Sequence, residues 1–432
     1  MGNRSSRRLR ALRLAAVLFG ACGVLLGNAI AAAESKRVSG VLLITVDSLR
    51  ADHVGAYGGP VATPSIDALA ADGAVVESAF TSIPAVGPSH ASLMTGRYPW
   101  NHHTQRNGVP LDARLPVLAE GFRAAGFATA AFVSNQNLHR RYGFHKGFDV
   151  YHFEPTEDFV WRGRRRPEFF ARADATVSAA MSWLTAVGDA PFFLWLQLSE
   201  PHLPYEPPSE YRVPPDSPVD RAGKTLPSGI ASFERLDALN RDYRGEVATV
   251  DAQIGRIVQR LRLLGMFDRS AVIVTAGSGE GLGEHGELGH RANLFDETVR
   301  VPLVIRAAGI PAGRRLSGLA QSEDLAVTIR ALVAAEPLAA RDGVDLLPWL
   351  VGAIERSPRN VVVGQRRASN SSEILYFEVS GPRKWIGRAD GAGVVYARDS
   401  DPGELTPLAA NGMPDELRRS LAAAGVARPP ND

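Results

Sequence analysis

Three runs of this chain set its fold class: GVLLITVD (Gly40 to Asp47), PFFLWLQLSEPH (Pro191 to His202) and SAVIVTAG (Ser270 to Gly277) are continuous apolar segments that end in small or polar residues. A strand with one wet face carries a polar residue at every second position, so uninterrupted runs mark strands covered on both sides, as in a parallel sheet flanked by helices. Helix patterns lie between them. TPSIDALAADG (Thr63 to Gly73) opens on a Thr cap and a proline and stops at glycine, and PSHASLMTG places Pro88 at a helix start. LPVLAEGFRAAG and YRGEVATVDAQIGRIVQRLRLLG are amphipathic, and ATAAFVS returns as a strand. The alternation predicts an α/β fold with helices on both faces of a mainly parallel sheet over residues 38–310. After Gly309 the texture changes: RNVVVGQRR and EILYFEVSGPRKWIGRA read as antiparallel strands followed by the helix MPDELRRSLAAAG, a smaller α+β subdomain over 311–432. The loop from Pro207 to Ser228 is rich in proline and polar residues and is expected at the surface near the site.

The first 33 residues read as a signal peptide. Arg4, Arg7, Arg8, Arg10 and Arg13 precede the run LAAVLFGACGVLLGNAI, which ends in AAA before Glu34. Cleavage near Ala33 and export to the periplasm or the exterior follow, by the Sec or the twin-arginine route, SRRLR being compatible with the latter. An uncleaved anchor is the alternative, but an apolar run of about 17 residues lies at the bottom of the spanning range, so no stable membrane span is expected after cleavage. The single cysteine, Cys22, falls inside this segment, and FGAC is a poor lipidation signal. The mature chain would then lack disulfides, thiolate metal sites and any cysteine nucleophile. Charge is balanced, 48 Lys+Arg against 46 Asp+Glu, so nothing favours nucleic acid as a partner, and RGRRR (Arg162 to Arg166) reads as a solvated loop.

Polar groups cluster at the strand ends. Asp47 closes the first run, Ser89 and His90 sit at a helix start, Glu200 and His202 follow the second run, and His285 and His290 follow the third. One strand-end Asp can simply cap a helix, and one loop His can simply hold its loop. Several such groups at the carboxyl ends of strands in an open α/β sheet should meet in one crevice.

Seven segments, TVDSLRADHVGAYGG, ATPSIDALAADG, GPSHASLMTGRYP, LSEPHLPYEPP, GLGEHGELGH, LFDETVRVPLVIR and VVYARDSDPGELTPLA, occur in this order. Together they resemble the sulfatase family of the alkaline phosphatase superfamily, in its Ser/Thr-type branch, over nearly the whole mature chain. The resemblance implies an alkaline-phosphatase-like sandwich with a small C-terminal subdomain, sulfuric ester hydrolysis, and a divalent metal (Ca, Mg, Mn or Zn). It also implies where the reactive groups should stand, and there the sequence departs. The nucleophile position, two residues before Pro88, is Val86, which can neither attack an ester nor mature to formylglycine. The metal-ligand positions are Asp47, Ser48, Gly277 and Ser278, of which only Asp47 is a strong ligand. The loop has kept its glycine-acidic scaffold, Glu280 to His290, and lost its ligands. His90 stands where many sulfatases have Arg, as in the Ser/Thr branch. His202 and His290 match positions that contact the anionic ester, and His102 and Asn107 match further substrate-binding positions more loosely.

These departures favour a secreted, non-catalytic relative, without cofactor, that binds an anionic ester or glycan. The alternative is an active sulfuric-ester or phosphoric-ester hydrolase with a rebuilt centre, in which Asp47, His202, His290 and Glu200 hold one ion and an activated water attacks. Ser89, one residue past Pro88, is expected to point away from the Val86 position.

Overall fold

The computed structural model describes residues 38–161, 164–290, 293–336, 341–367 and 373–426. Residues 1–33, read above as a signal peptide and holding Cys22, lie outside the described residues, as do Arg162 and Gly163; Arg164 to Arg166, expected in a loop, instead begin a strand, Arg164–Phe170, that pairs antiparallel with Glu157–Trp161.

Strand β1 (Gly40–Val46) lies inside a nine-stranded sheet with β2 (Ala74–Phe80), β3 (Ala128–Phe132), β4 (Val150–His152), β5 (Phe192–Leu198), β6 (Ser270–Ala276), β7 (Arg300–Val301), β8 (Leu303–Arg306) and β9 (Arg314–Gln321). The order is β9, β2, the ribbon β7–β8 interrupted at Pro302, then β6, β1, β5, β3 and β4. Only that ribbon runs antiparallel to its neighbours. Every residue of β1, β5 and β6 is buried, so both faces are covered, as the uninterrupted apolar runs require. The register pairs Val46 with both Leu198 and Ala276, which brings Asp47, Ser199 and Gly277 off the sheet side by side.

Two sets of helices supply the cover. Helices α1 (Pro64–Ala71) and α4 (Ala173–Val187) pack on the long α5 (Phe233–Leu263), while α2 (Val86–Thr95) packs on α3 (Leu118–Ala124) and α6 (Ser322–Leu332). Among the described residues no helix is long and apolar enough to cross a membrane.

The main sheet extends past residue 310, where the change of texture places the boundary. Strand β9 pairs in parallel with β2, from Arg314 beside Ala74 to Gln321 beside Phe80, and α6 follows it onto α2. Its alternate exposed residues (Arg315, Ser317) make this edge strand read as loop in the sequence. The subdomain proper is a five-stranded antiparallel meander: β10 (Val361–Arg367), β11 (Ile374–Ser380), β12 (Arg383–Arg388), β13 (Gly393–Ala397) and β14 (Leu408–Ala409). Helix α7 (Asp415–Ala423) buries Leu417 and Leu421 beside Trp385 and Tyr376. A fully buried Lys384 ties this meander to the main layer, its Nζ 2.7 Å from Asp296 and 2.9 Å from Glu404. Removing water from three charges is tolerable only because they satisfy one another.

Candidate functional site

The carboxyl ends of β1, β5 and β6 open on one crevice, and two corners of it differ. At the β1/β6 corner Asp47 is fully buried. Its Oδ2 accepts from Asn135 Nδ2 at 2.8 Å, and its Oδ1 has no hydrogen-bond partner among the described residues. Burial pushes its carboxyl up to about 8, so the neutral acid predominates at neutral pH. Ser48 adopts a left-handed backbone (φ 60°) and brings its Oγ to 3.3 Å from His290 Nδ1.

Val86 is the first residue of α2 and is buried in the hydrophobic core. Three residues on, Ser89 lies on the same side of the helix. Its Oγ donates back to Val86 O at 3.2 Å, so it faces the Val86 position and does not point away from it as expected. A Cβ on Gly277 would sit 2.8 Å from Ser89 Oγ and 3.0 Å from His90 Cε1. The space beside a strand-end ligand is thus taken by two side chains of α2. His90 is locked there, Nδ1 2.7 Å from Val86 O and Nε2 2.9 Å from Thr45 Oγ1, which also accepts from Trp195 Nε1 at 2.9 Å. The carbonyl acceptor requires the proton on Nδ1, and burial pulls the imidazole down to about 4, so the ring is neutral.

The other expected residues separate. His202 and His290 meet edge to face with ring centroids 5.2 Å apart. His290 Nδ1 lies 2.7 Å from Glu280 Oε2, and Tyr205 donates to Glu280 Oε1 at 2.7 Å. Burial pushes the Glu280 carboxyl up, but the hydrogen bond and charge of His290 outweigh it and hold the group below its ordinary value. Asn107 Oδ1 accepts from Gly87 N at 2.9 Å and so braces the start of α2 beside Val86. His102 is buried on another side of α2, its ring engaged by Ser92 Oγ and by Thr104 N, each at 3.0 Å, with burial pulling it down to about 3. Both ring nitrogens are used there, leaving it nothing to offer a ligand. His285 stacks on Phe295 and bonds Glu297 at 2.9 Å, bracing its loop.

Sequence reasoning missed Asn135, Tyr205, Glu246 and Arg366. Arg366, on β10, donates to Pro84 O at 3.3 Å and to His290 O, carrying a buried positive charge from the C-terminal meander to the crevice. Tyr205 stands in the quoted segment LSEPHLPYEPP and could have been found there, whereas Asn135, Glu246 and Arg366 arrive from remote elements and have no local signal.

At the β5 corner the crevice stays open. A cavity of about 410 Å³ is lined by Ser199, Glu200, His202, Phe170, Arg172 and Glu246, among others.

A hard divalent ion needs several oxygen ligands from carboxylates or carbonyls. Asp47 Oδ1 is open, but Gly277 contributes no side chain, its space is filled, and Ser48 and the buried Ser278 bring neutral hydroxyls. Among the described residues no three His, Asp or Glu side chains are arranged to hold an ion. The donor set at the β1/β6 corner does not fit the metal that the resemblance implies.

Comparison with known proteins gives a consistent picture. Residues 39–335 match the family model described as Sulfatase. The multifunctional alkaline phosphatase superfamily protein PehA of Trinickia caryophylli is 28% identical over 400 residues, covering 72% of this chain and 76% of that protein. The ulvan-active sulfatase of Formosa agariphila is 27% identical over 291 residues, 62% of this chain and 56% of that one. The crystal structure of the phosphonate monoester hydrolase of Agrobacterium radiobacter superposes with a TM-score of 0.74 at 27% identity, covering 89% of this chain and 94% of that one.

Proposed function

This chain belongs to the sulfatase family, and we propose that it is a member that has lost ester hydrolysis and uses its crevice to bind an anionic ester or glycan. The observation that carries the reading is the closed corner: Val86 at the nucleophile position, and Gly277 with its side-chain space taken by Ser89 and His90. Nucleophilic attack and Lewis-acid stabilisation each supply several kcal/mol, and about 1.4 kcal/mol is a factor of ten in rate. Losing both leaves no route to useful turnover.

The anion-binding half of the reading is supported by what surrounds that corner. His202 and His290 face one another, and the guanidinium of Arg366 reaches the carbonyl of His290. The relative named as ulvan-active supports a glycan as the ligand class. Export through the 1–33 segment belongs to the same reading, and N-terminal sequencing of protein from the exporting host should find a start near Ala33.

The test is metal content and turnover of the purified mature protein. No stoichiometric Ca, Mg, Mn or Zn should be retained, and aryl sulfate and aryl phosphate should remain intact with each ion added. Metal-dependent hydrolysis that Asp47→Ala abolishes would overturn this reading in favour of a centre rebuilt from Asp47, His202, His290 and Glu200.

A further inference from the structure

We infer that the cavity beside His202 is a subsite for an organic ammonium group. Its inner wall carries Glu246, on α5, which is 4% exposed. One of its oxygens accepts from Glu206 N at 2.8 Å. Glu200 shares the wall: its Oε1 accepts from Ala173 N at 2.9 Å, and its Oε2 is buried without a partner. Among the described lining residues the one permanent cation is Arg172, which already pairs with Glu157 at 3.1 Å and Asp174 at 3.4 Å. Arg165 likewise answers Asp158 at the rim.

Two carboxyls, one of them with a buried oxygen that no group satisfies, therefore share a space of about 410 Å³, within the range of small-molecule pockets, roughly 300–1,000 Å³. Leaving that oxygen unpaired is costly, and a donor entering from solvent would satisfy it while facing the second acid. Burial, with the neighbouring Glu200 charge adding to it, pushes the Glu246 carboxyl up to about 8, and the charge of Arg172 offsets only part of this. The chemistry of the wall decides the class. An anion would be repelled by both carboxylates. A bare metal ion would find two carboxylates and no third ligand, since no ion-holding triad occurs among the described residues. An ammonium group can donate to both acids while the Phe170 ring, beside Pro204 and Pro208, covers its apolar portion and adds a cation–π contribution. The inference does not depend on the loss of hydrolysis, because the cavity lies at the β5 corner and not at Val86 or Gly277.

The probe pair is cyclohexylamine and cyclohexanol, alike in shape and different in charge, titrated calorimetrically into the full mature chain at pH 8. Cyclohexylamine should bind saturably and cyclohexanol at least tenfold more weakly. Glu246→Gln should weaken the amine at least tenfold, and lowering the pH to 5, where the amine stays charged and the carboxyls take up protons, should weaken it too. Should Glu246→Gln fail to fold, Glu200→Gln and the pH titration of the unmodified chain carry the same expectation. Equal affinity for the alcohol, indifference to both substitutions and to pH, or displacement of the amine by equimolar calcium would each overturn the assignment. Turnover assays read the loss of hydrolysis separately, so the two ideas can fail independently.

Discussion

Asp47 and Glu246 both carry their carboxyls into the same crevice, yet one corner is closed and the other is open. At the β1/β6 end, Ser89 and His90 from α2 occupy the space beside Gly277, and every ring nitrogen of His90 is bonded to protein. At the β5 end, Glu200 and Glu246 line a cavity, and Glu200 keeps an unused oxygen there. A ligand position that loses its side chain does not stay empty if a neighbouring helix can lean into it, because an unfilled void forfeits packing energy. A cavity walled by carboxyls cannot close the same way. Bringing the two acids together would increase their repulsion. The β1/β6 corner is packed as core, and the β5 corner keeps a cavity.

Perturbations should separate the corners by size. The largest effect is expected away from both corners, at the buried ion cluster that ties the meander to the main layer: Lys384→Ala removes the cation between Glu404 and Asp296, and should cost about 3–5 kcal/mol in denaturant unfolding. Gly277→Asp comes next. It forces a Cβ to 2.8 Å from Ser89 Oγ and brings a buried charge, so about 3 kcal/mol should be lost, with a part recovered in a Ser89→Ala background. If Gly277→Asp were neutral and bound calcium without further change, the corner would not be closed.

A smaller, pH-dependent effect belongs to the open corner. The Glu246 carboxyl is raised from 4.5 to about 8, so the folded state favours its neutral form. The stability it contributes is complete below pH 4.5 and is lost as pH rises through about 8. Glu246→Gln should therefore match the parent near pH 4 and gain on it toward pH 8, by at most about 1.4 kcal/mol per pH unit. Urea midpoints across that range check the slope. The smallest effect is expected for Arg172→Ala, whose pairing with Glu157 is about half exposed on both sides. Such pairs contribute about 0–1 kcal/mol, so stability should barely move while cyclohexylamine binding strengthens.

Most of the sheet was legible because its runs report burial directly: Gly40 to Asp47 and Ser270 to Gly277 are predominantly apolar with no polar alternation, and only a doubly covered strand tolerates that. The edge strand β9 was not, since its outward residues are polar and its pairing with β2 spans some 240 residues of chain. The strand-end residues Asp47, His202 and Gly277 were likewise readable, because strand ends point at the crevice wherever the fold is of this type. His102 was misplaced. Sequence spacing fixes how far it lies from α2, not which side of the helix it reaches, and Ser92 and Thr104 hold it in the core.

By itself, then, the sequence determined the layer order around β1, the carboxylate at its end, and the absence of a nucleophile at Val86 and of ligand side chains at Gly277. Those are properties of residue type and local period. Only the tertiary structure decided that Ser89 turns back toward Val86, that Arg366 arrives from the C-terminal meander, and that Glu246 from α5 and Glu200 from the turn after β5 share one cavity. Each of these depends on the rotation of one element against another far away in the chain, which packing of the whole core sets and no window of sequence contains.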